Sequence, residues 1–346
     1  MDNKAVAIVE SPLQAMSLLE FCFLKSIPPS DLTLILNLNT KISGHNKKLI
    51  DTVFDFYKFE TAELYSYYEY DITESFLQLV FNAGQINDIE KQLQENQFEY
   101  MLIGEFRSYI ARHLVNKLTV KHCVFLDDGN AIKRAPKMRA EPESIKVKCK
   151  NIFLNLFGYD LKILNKITYF SAFLKKRQFV STKDRLTKNE FNKLASLQKE
   201  AEESDSILGI VGSPLFTAGV CTLENELKSN QILVDYIREL LIVGKKVVYF
   251  PHRRESKEKL NYFENYGIEI NKQQAPIELK LLIYQNIKLI GFYSSCFETL
   301  PLVYPNIEIT SLTLPLELVE ESWKSFVNTQ YETYLGINNI TTINRS

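Results

Sequence analysis

Residues 5–14 read AVAIVESPLQ, and residues 207–215 read ILGIVGSPL. In both, a run rich in Val and Ile passes without a break into a short polar turn, Glu10-Ser11-Pro12-Leu13-Gln14 or Gly212-Ser213-Pro214-Leu215. A strand that is apolar at every position, rather than at every second one, is covered on both faces. That is the mark of a parallel sheet packed between helices. Outward from the first stretch, further apolar runs fall at Leu32–Leu36, Tyr100–Ile103 and Cys123–Leu126. Outward from the second they fall at Lys246–Phe250, Ile268–Ile270, Lys288–Gly291 and Ile307–Thr310. Helical periodicity fills the intervals, over Gln14–Leu24, Ile42–Phe56, Phe76–Asn96, Gln231–Ile242 and Ile277–Tyr284.

Strand–helix alternation of this kind predicts an α/β chain of two doubly wound, Rossmann-like domains. The alternation breaks once. Residues 184–205, DRLTKNEFNKLASLQKEAEESD, are charged and carry no strand signal, and they predict an exposed helix joining the two halves. The expected organisation is therefore a first domain over 1–183 and a helical linker over 184–206. A second domain over 207–320 and a helical tail over 321–346, crossing back to the first domain, complete it. Two Rossmann-like domains facing a central cleft is the GT-B architecture. In such sheets ligands sit beyond the carboxyl ends of the strands, so the polar residues that follow strands carry the chemistry.

Composition narrows the function. The 346 residues are 45% hydrophobic and 24% charged, with a net charge of −1, so nothing suggests disorder or an electrostatic partnership with nucleic acid. The five cysteines, Cys22, Cys123, Cys149, Cys221 and Cys296, are scattered and form no CxxC pair, which predicts reduced thiols and no zinc site. The first strand is followed by ESPLQ instead of GxGxxG, and no Walker-type phosphate loop occurs, so dinucleotide enzymes and P-loop NTPases lose their main support. The amino terminus has no signal-peptide pattern and the apolar runs are too short to span a bilayer. The expectation is a cytoplasmic protein whose membrane contact, where it has any, is peripheral.

Three clusters stand at predicted strand ends. Asp127-Asp128-Gly129 follows CVFL. Adjacent carboxylates raise each other's proton affinity and can act as a general base toward a hydroxyl, while the same residues also suit a plain turn. Pro251-His252-Arg253-Arg254-Glu255 follows KKVVYF. It offers an imidazole and guanidinium groups to a phosphate, or forms a solvated basic loop. Ser294-Ser295 leads into the helical CFETLPLVY, as an anion site or simply as a helix cap. Between the last two, Ala275-Pro276-Ile277-Glu278 opens a helix with a carboxylate that fits the helix dipole or a pair of ribose hydroxyls. Ser11, Pro12, Gln14, Gly212 and Ser213 follow the first strand of each half. Arg107 follows YMLIGEF. Downstream, Lys133, Arg134, Lys137, Arg139, Lys146, Lys148 and Lys150 form a basic stretch suited to an anionic acceptor or an anionic membrane leaflet, or to a solvated loop.

The order of these clusters resembles that of the bacterial GT-B sialyltransferases, the group of lipooligosaccharide sialyltransferases, capsular polysialyltransferases and marine-bacterial multifunctional enzymes. They share D/E-D/E-G, H-P and S-S/T motifs, and ESPLQ resembles the opening of the first two branches. The resemblance covers the two-domain layout and about five short motifs. It implies an inverting transfer of sialic acid from CMP-sialic acid to a surface glycan such as lipooligosaccharide or capsule, with no metal and no other cofactor. By the same resemblance Asp127 would be the general base, with Asp128 and Gly129 shaping its turn. His252 would contact the CMP phosphate, Ser294 and Ser295 would hydrogen-bond it, Glu278 would hold the ribose, and Ile277 would pack near cytosine. The chain departs from H-P, having Pro251 before His252 and Arg253 after it. Two alternatives stay open: a GT-B transferase with another donor (CMP-Kdo, CMP-legionaminic acid or a UDP-sugar), and a non-catalytic GT-B-like binding protein.

Overall fold

A computed structural model describes residues 4–39, 43–61, 63–69, 76–105, 108–129, 131–162, 166–175, 183–198, 207–240, 246–284 and 286–345. The chain divides into two compact units, residues 1–193 with 274–276, and residues 194–273 with 277–346.

In the first unit the strands are β1 (Ala5–Val9), β2 (Leu32–Asn39), β3 (Glu63–Glu69), β4 (Gln97–Ile103), β5 (Thr119–Leu126), β6 (Thr168–Ser171) and β7 (Arg185–Lys188). They lie in the order β3-β2-β1-β4-β5-β6-β7, each neighbouring pair parallel. The helices of this unit are α1 (Pro12–Lys25), α2 (Ser43–Tyr57), α3 (Phe76–Leu93), α4 (Tyr109–Lys117), α5 (Ala135–Ala140) and α6 (Ile145–Asn155). Helix α7 (Asn192–Gln198) straddles the division between the units. All five residues of β1 are at most 4% exposed, as the unbroken apolar run predicts for a strand with partners on both edges and helices on both faces. Helix α1 starts where Ser11 Oγ accepts the Gln14 N–H at 3.3 Å and Pro12 fills the first turn. It stops at Ser26, left-handed at φ 52°, whose N–H turns back to the Cys22 and Phe23 carbonyls.

The second unit carries β8 (Ile207–Val211), β9 (Val247–Phe250), β10 (Glu269–Ile270), β11 (Ile287–Gly291), β12 (Glu308–Leu312) and β13 (Ile340–Ile343). Their order is β10-β9-β8-β11-β12-β13, again parallel throughout. Around them lie α8 (Leu223–Leu240), α9 (Lys257–Asn265), α10 (Ile277–Lys280), α11 (Cys296–Val303) and α12 (Glu321–Tyr334). In each sheet the chain first builds away from its opening strand in one direction and then in the other. The topological switch points thus lie between β1 and β4 and between β8 and β11, where doubly wound sheets take their ligands.

The segment expected to be a helical linker is corrected in part. Residues 185–188 form β7, the edge strand of the first sheet, and only 192–198 are helical, with 199–206 outside the described residues. Charged residues suit an edge strand because one of its sides has no partner. Its start is pinned by Asp184, whose carboxylate accepts Arg139 Nε and Nη2 at 3.3 and 3.2 Å and the Ile167 N–H at 3.1 Å. The expected tail over 321–346 is corrected as well. After α12 the chain adds β13 to the second sheet, with Ile340 and Ile343 registered on Ile309 and Leu312. Among the described residues no helix is long and apolar enough to cross a membrane.

Candidate functional site

In the first unit, carboxylates gather at the carboxyl ends of β1, β4 and β5. One oxygen each from Glu10, Glu105 and Asp128 lie within 4.8 Å of one another, all three side chains partly buried. Ser11 donates its hydroxyl to Asp128 Oδ1 at 3.0 Å, and Asn37, at the end of β2, donates Nδ2 to Glu10 Oε2 at 3.0 Å and to Glu69 Oε2 at 3.1 Å. The Glu10 N–H reaches Gln14 Oε1 at 2.9 Å, while the other amide atom of fully buried Gln14, Nε2, has no hydrogen-bond partner among the described residues. Burial first, then Asp128, Glu105 and Glu69, push the Glu10 carboxyl up to about 7. A carboxylate that titrates near neutrality at the switch point of a parallel sheet is suited to take a proton from a hydroxyl.

Asp127 occupies a different environment. It is 0% exposed, its Oδ2 accepts the Ala172 N–H at 2.8 Å and Asn189 Nδ2 at 3.4 Å, and its own N–H goes to Ser17 Oγ at 3.3 Å. It thereby ties the ends of β5, β6 and β7 to α1. Burial above all pushes its carboxyl up to about 7. The raised proton affinity expected of the Asp-Asp pair is present, but its main cause is desolvation, with Asp128 a lesser one. A carboxylate with no exposed surface touches no acceptor in this conformation. Among the described residues, the carboxylates of that cluster with access are Glu10, Glu105 and Asp128. Gly129 turns the chain after the pair at φ 61°, a conformation that favours glycine. Arg107 lies outside the described residues.

In the second unit, His252 follows β9, Gly212 and Ser213 follow β8, Ser294 and Ser295 follow β11, and Glu278 stands in α10 after β10. These four strands are consecutive neighbours in the sheet, so the residues share one rim. Beneath it lies a buried charge network. Lys259 Nζ meets Glu255 Oε1 at 3.0 Å and Glu226 Oε1 at 3.4 Å and donates to the Ser213 carbonyl. Glu255 further accepts the Tyr249 hydroxyl at 2.8 Å and the His252 N–H at 3.2 Å, which fixes the PHRRE loop. A Cβ on Gly212 would fall 2.5 Å from Glu255 Oε1, so a larger residue there would have to displace that carboxylate. The Ser213 hydroxyl donates to the Tyr293 carbonyl at 2.8 Å and binds the β8 and β11 turns together.

His252 Nδ1 accepts the Arg254 N–H at 3.2 Å, which leaves the ring proton on Nε2. Burial first, then Arg253, Arg254 and Lys259, push this imidazole down to about 3, so it is neutral at physiological pH and donates from Nε2. Ser294 is fixed by its backbone: its N–H donates to the Tyr334 hydroxyl at 2.9 Å and its carbonyl accepts that hydroxyl at 2.8 Å. Ser295 precedes α11 without a side-chain cap bond, and among the described residues its hydroxyl has no partner. The capping alternative therefore fails for Ser295, and a hydroxyl is left unspent at a helix N-terminus.

Glu278 is 6% exposed. Its Oε1 accepts the Thr299 hydroxyl at 2.8 Å and its carbonyl accepts Tyr304 at 2.7 Å, and burial raises its proton affinity. In this conformation the Glu278 carboxylate, expected at a ribose, is packed against α11. Ile277, ahead of it, opens the short α10 and is partly buried.

Comparison with solved structures aligns the whole chain with UDP-GlcNAc 2-epimerase from Methanocaldococcus jannaschii, at 12% identity and a TM-score of 0.56, covering 99% of this chain and 89% of that one. Arabidopsis thaliana UGT89C1 complexed with UDP-L-rhamnose aligns at 10% identity and a TM-score of 0.49, covering 100% and 87%. E. coli heptosyltransferase WaaC with ADP-2-deoxy-2-fluoro heptose aligns at 8% and 0.42, covering 89% and 88%. Likeness at this level is likeness of fold, and of the three only the epimerase is near enough to argue from. No protein-family model and no curated protein sequence matches the chain. The fold is α/β of the GT-B type, two Rossmann-like domains in one chain.

Proposed function

We propose that the chain is an inverting glycosyltransferase that moves a CMP-activated nonulosonic acid, sialic acid in the first instance, onto a hydroxyl of a bacterial surface glycan such as lipooligosaccharide or capsule. The observation that carries the reading is the rim of the second sheet. There a neutral Nε2–H donor at His252 and the uncapped start of α11 with its unspent Ser295 hydroxyl follow β9 and β11, the two strands that flank β8. A single phosphate diester asks for such a set of directed donors.

In the reaction, the bond from the anomeric carbon to the phosphate oxygen breaks, CMP leaves with the electron pair, and the acceptor oxygen bonds to the opposite face of that carbon. Donors at His252 and Ser295 stabilise the charge growing on the phosphate. The acceptor's proton passes to a general base. Of the candidate carboxylates for that task, Glu10 is partly accessible, whereas Asp127, equally raised to about 7, is fully buried. The order of motifs in the sequence favours a CMP-linked donor over a UDP-sugar.

The experiment is a donor panel of CMP-sialic acid, CMP-Kdo, CMP-legionaminic acid and UDP-sugars, read by nucleotide release and product analysis, with Glu10→Gln, Asp128→Asn and Asp127→Asn variants alongside. CMP release lost about 10²–10⁴-fold in Glu10→Gln with nucleotide affinity kept supports the reading. UDP release without CMP release ends the CMP assignment. Neither binding nor hydrolysis of any donor leaves a non-catalytic binding protein. Loss confined to Asp127→Asn returns the base to Asp127.

A further inference from the structure

Helix α6 carries a stripe of large apolar residues turned to water. Ile145 is 80% exposed, Ile152 63%, Phe153 47% and Leu156, the capping residue, 79%. Cys149 among them is exposed too. The spacing i, i+4, i+7, i+8 and i+11 sets these five side chains along one side of the helix. The opposite side holds Leu154, 1% exposed and part of the core of the first unit. The helix is therefore anchored by that face, and of the stripe Phe153 also meets the ring of Phe157, at 5.0 Å between centroids, which packs on the same core. Contiguous exposed apolar surface of this kind marks an interaction site.

The charge around the stripe says what covers it. From Ile145 to Tyr159 the sequence contains Lys146, Lys148 and Lys150 and no acidic residue. Lys148 and Lys150 are exposed, the latter with its ammonium 5.2 Å from the Tyr109 ring centre. On α5, immediately before, Lys137 and Met138 are exposed as well, Lys137 lying 3.9 Å from the exposed carboxylate of Glu141. The nearest acid on the inner side, Glu143, is engaged by Arg112 at 3.3 Å and Asn151 at 3.1 Å. A protruding helix with an apolar stripe between lysines fits a surface of negative headgroups over hydrocarbon, where the apolar side chains sink past the headgroups and the ammonium groups stay among them.

We propose that α6 is a membrane-surface helix that seats the first unit on an anionic lipid bilayer. The assignment does not depend on the transfer reaction and is read by binding alone. The test is co-sedimentation of the full chain with vesicles of phosphatidylglycerol and phosphatidylethanolamine, against vesicles of phosphatidylcholine, at low and high salt. Expected are binding to the anionic vesicles at least about tenfold tighter than to the neutral ones, and weakening by salt. The triple variant Ile145→Ser, Ile152→Ser, Leu156→Ser should lose about tenfold or more while its circular dichroism and melting stay as in the parent chain. Lys137→Gln and Lys148→Gln, on side chains that support no core packing, should each cost about fivefold. Equal binding to both vesicle types, or full binding by the triple variant, overturns the proposal. So does a lipid-free dimer that the triple variant dissolves, which would give the stripe to a second copy of the chain.

Discussion

Replacing Lys259 by methionine isolates the network beneath the rim of the second sheet. Methionine keeps the length of the stem and removes only the charge and its donors. The Lys259, Glu226 and Glu255 side chains are 4%, 2% and 1% exposed, so two carboxylates are left in the interior without their cation. The Ser213 carbonyl loses a donor as well. Removing one member of a buried ion pair costs about 3–5 kcal/mol. For a unit of roughly 150 residues, at about 3 °C per kcal/mol, the transition of the second unit should fall by roughly 10–15 °C. Scanning calorimetry at pH 8 reads this directly.

The pH dependence of the same variant follows from Glu255, whose proton affinity burial already raises in the parent chain. A carboxyl raised in the folded state gives stability at low pH and loses it as pH climbs through the folded value. Without Lys259 that value moves further up, so the deficit should shrink from pH 8 to pH 5 as Glu255 takes up a proton. A fall of less than about 2 °C at pH 8, or a deficit that widens on acidification, would refute the account of a charge-compensated cluster.

Three further outcomes are expected. Ser295→Ala should weaken nucleotide binding by about 10–100-fold in calorimetry, the loss of one hydrogen bond to a charged group, with Tm unchanged because the hydroxyl caps nothing. Gly212→Ala drives a methyl to 2.5 Å from Glu255 Oε1 and should cost about 1–3 kcal/mol in chemical denaturation, with His252 displaced along with Glu255. Asp127, raised from 3.8 to about 7, contributes stability that is complete below its unfolded value and declines as pH rises through 7. Asp127→Asn should remove that decline, which spans about pH 4 to 7, from the denaturation profile while the parent chain shows it.

What the sequence made legible follows the physics of each element. β1 and β8 are buried on both faces, and their unbroken apolar runs announce them; β11 differs only by Lys288 near its start. β3 (ELYSYYE), β7 (RLTK) and β13 (ITTI) are strands because of their neighbours: each is the outermost strand of its sheet and is half wet, so its own residues carry little apolar signal. The same holds for the site. Ser294 and Ser295, and His252 with its arginines, were visible because they directly follow strong strands. The enclosure of Asp127 was not, since its partners Ala172 and Asn189 lie 45 and 62 residues away in sequence. Glu10 had a signal as good as that of Asp127, a carboxylate directly after a buried strand. Its significance depends on Glu105 and Asp128 arriving from two other strand ends. Lys259 stands four residues after Glu255, a spacing that on an exposed helix would mean little; burial makes it a fixed part of the rim.

The central position of β1 has a consequence for synthesis. Its second partner, β4, begins about ninety residues further along the chain. At about 5–20 residues per second, a ribosome needs on the order of ten seconds to supply that partner. During this interval the nascent AVAIV segment has at most one edge satisfied and one or both faces bare, a natural target for a chaperone that holds extended apolar peptide. Mutations that slow elongation between β2 and β4 would then lower the yield of folded protein without altering any contact in the finished one.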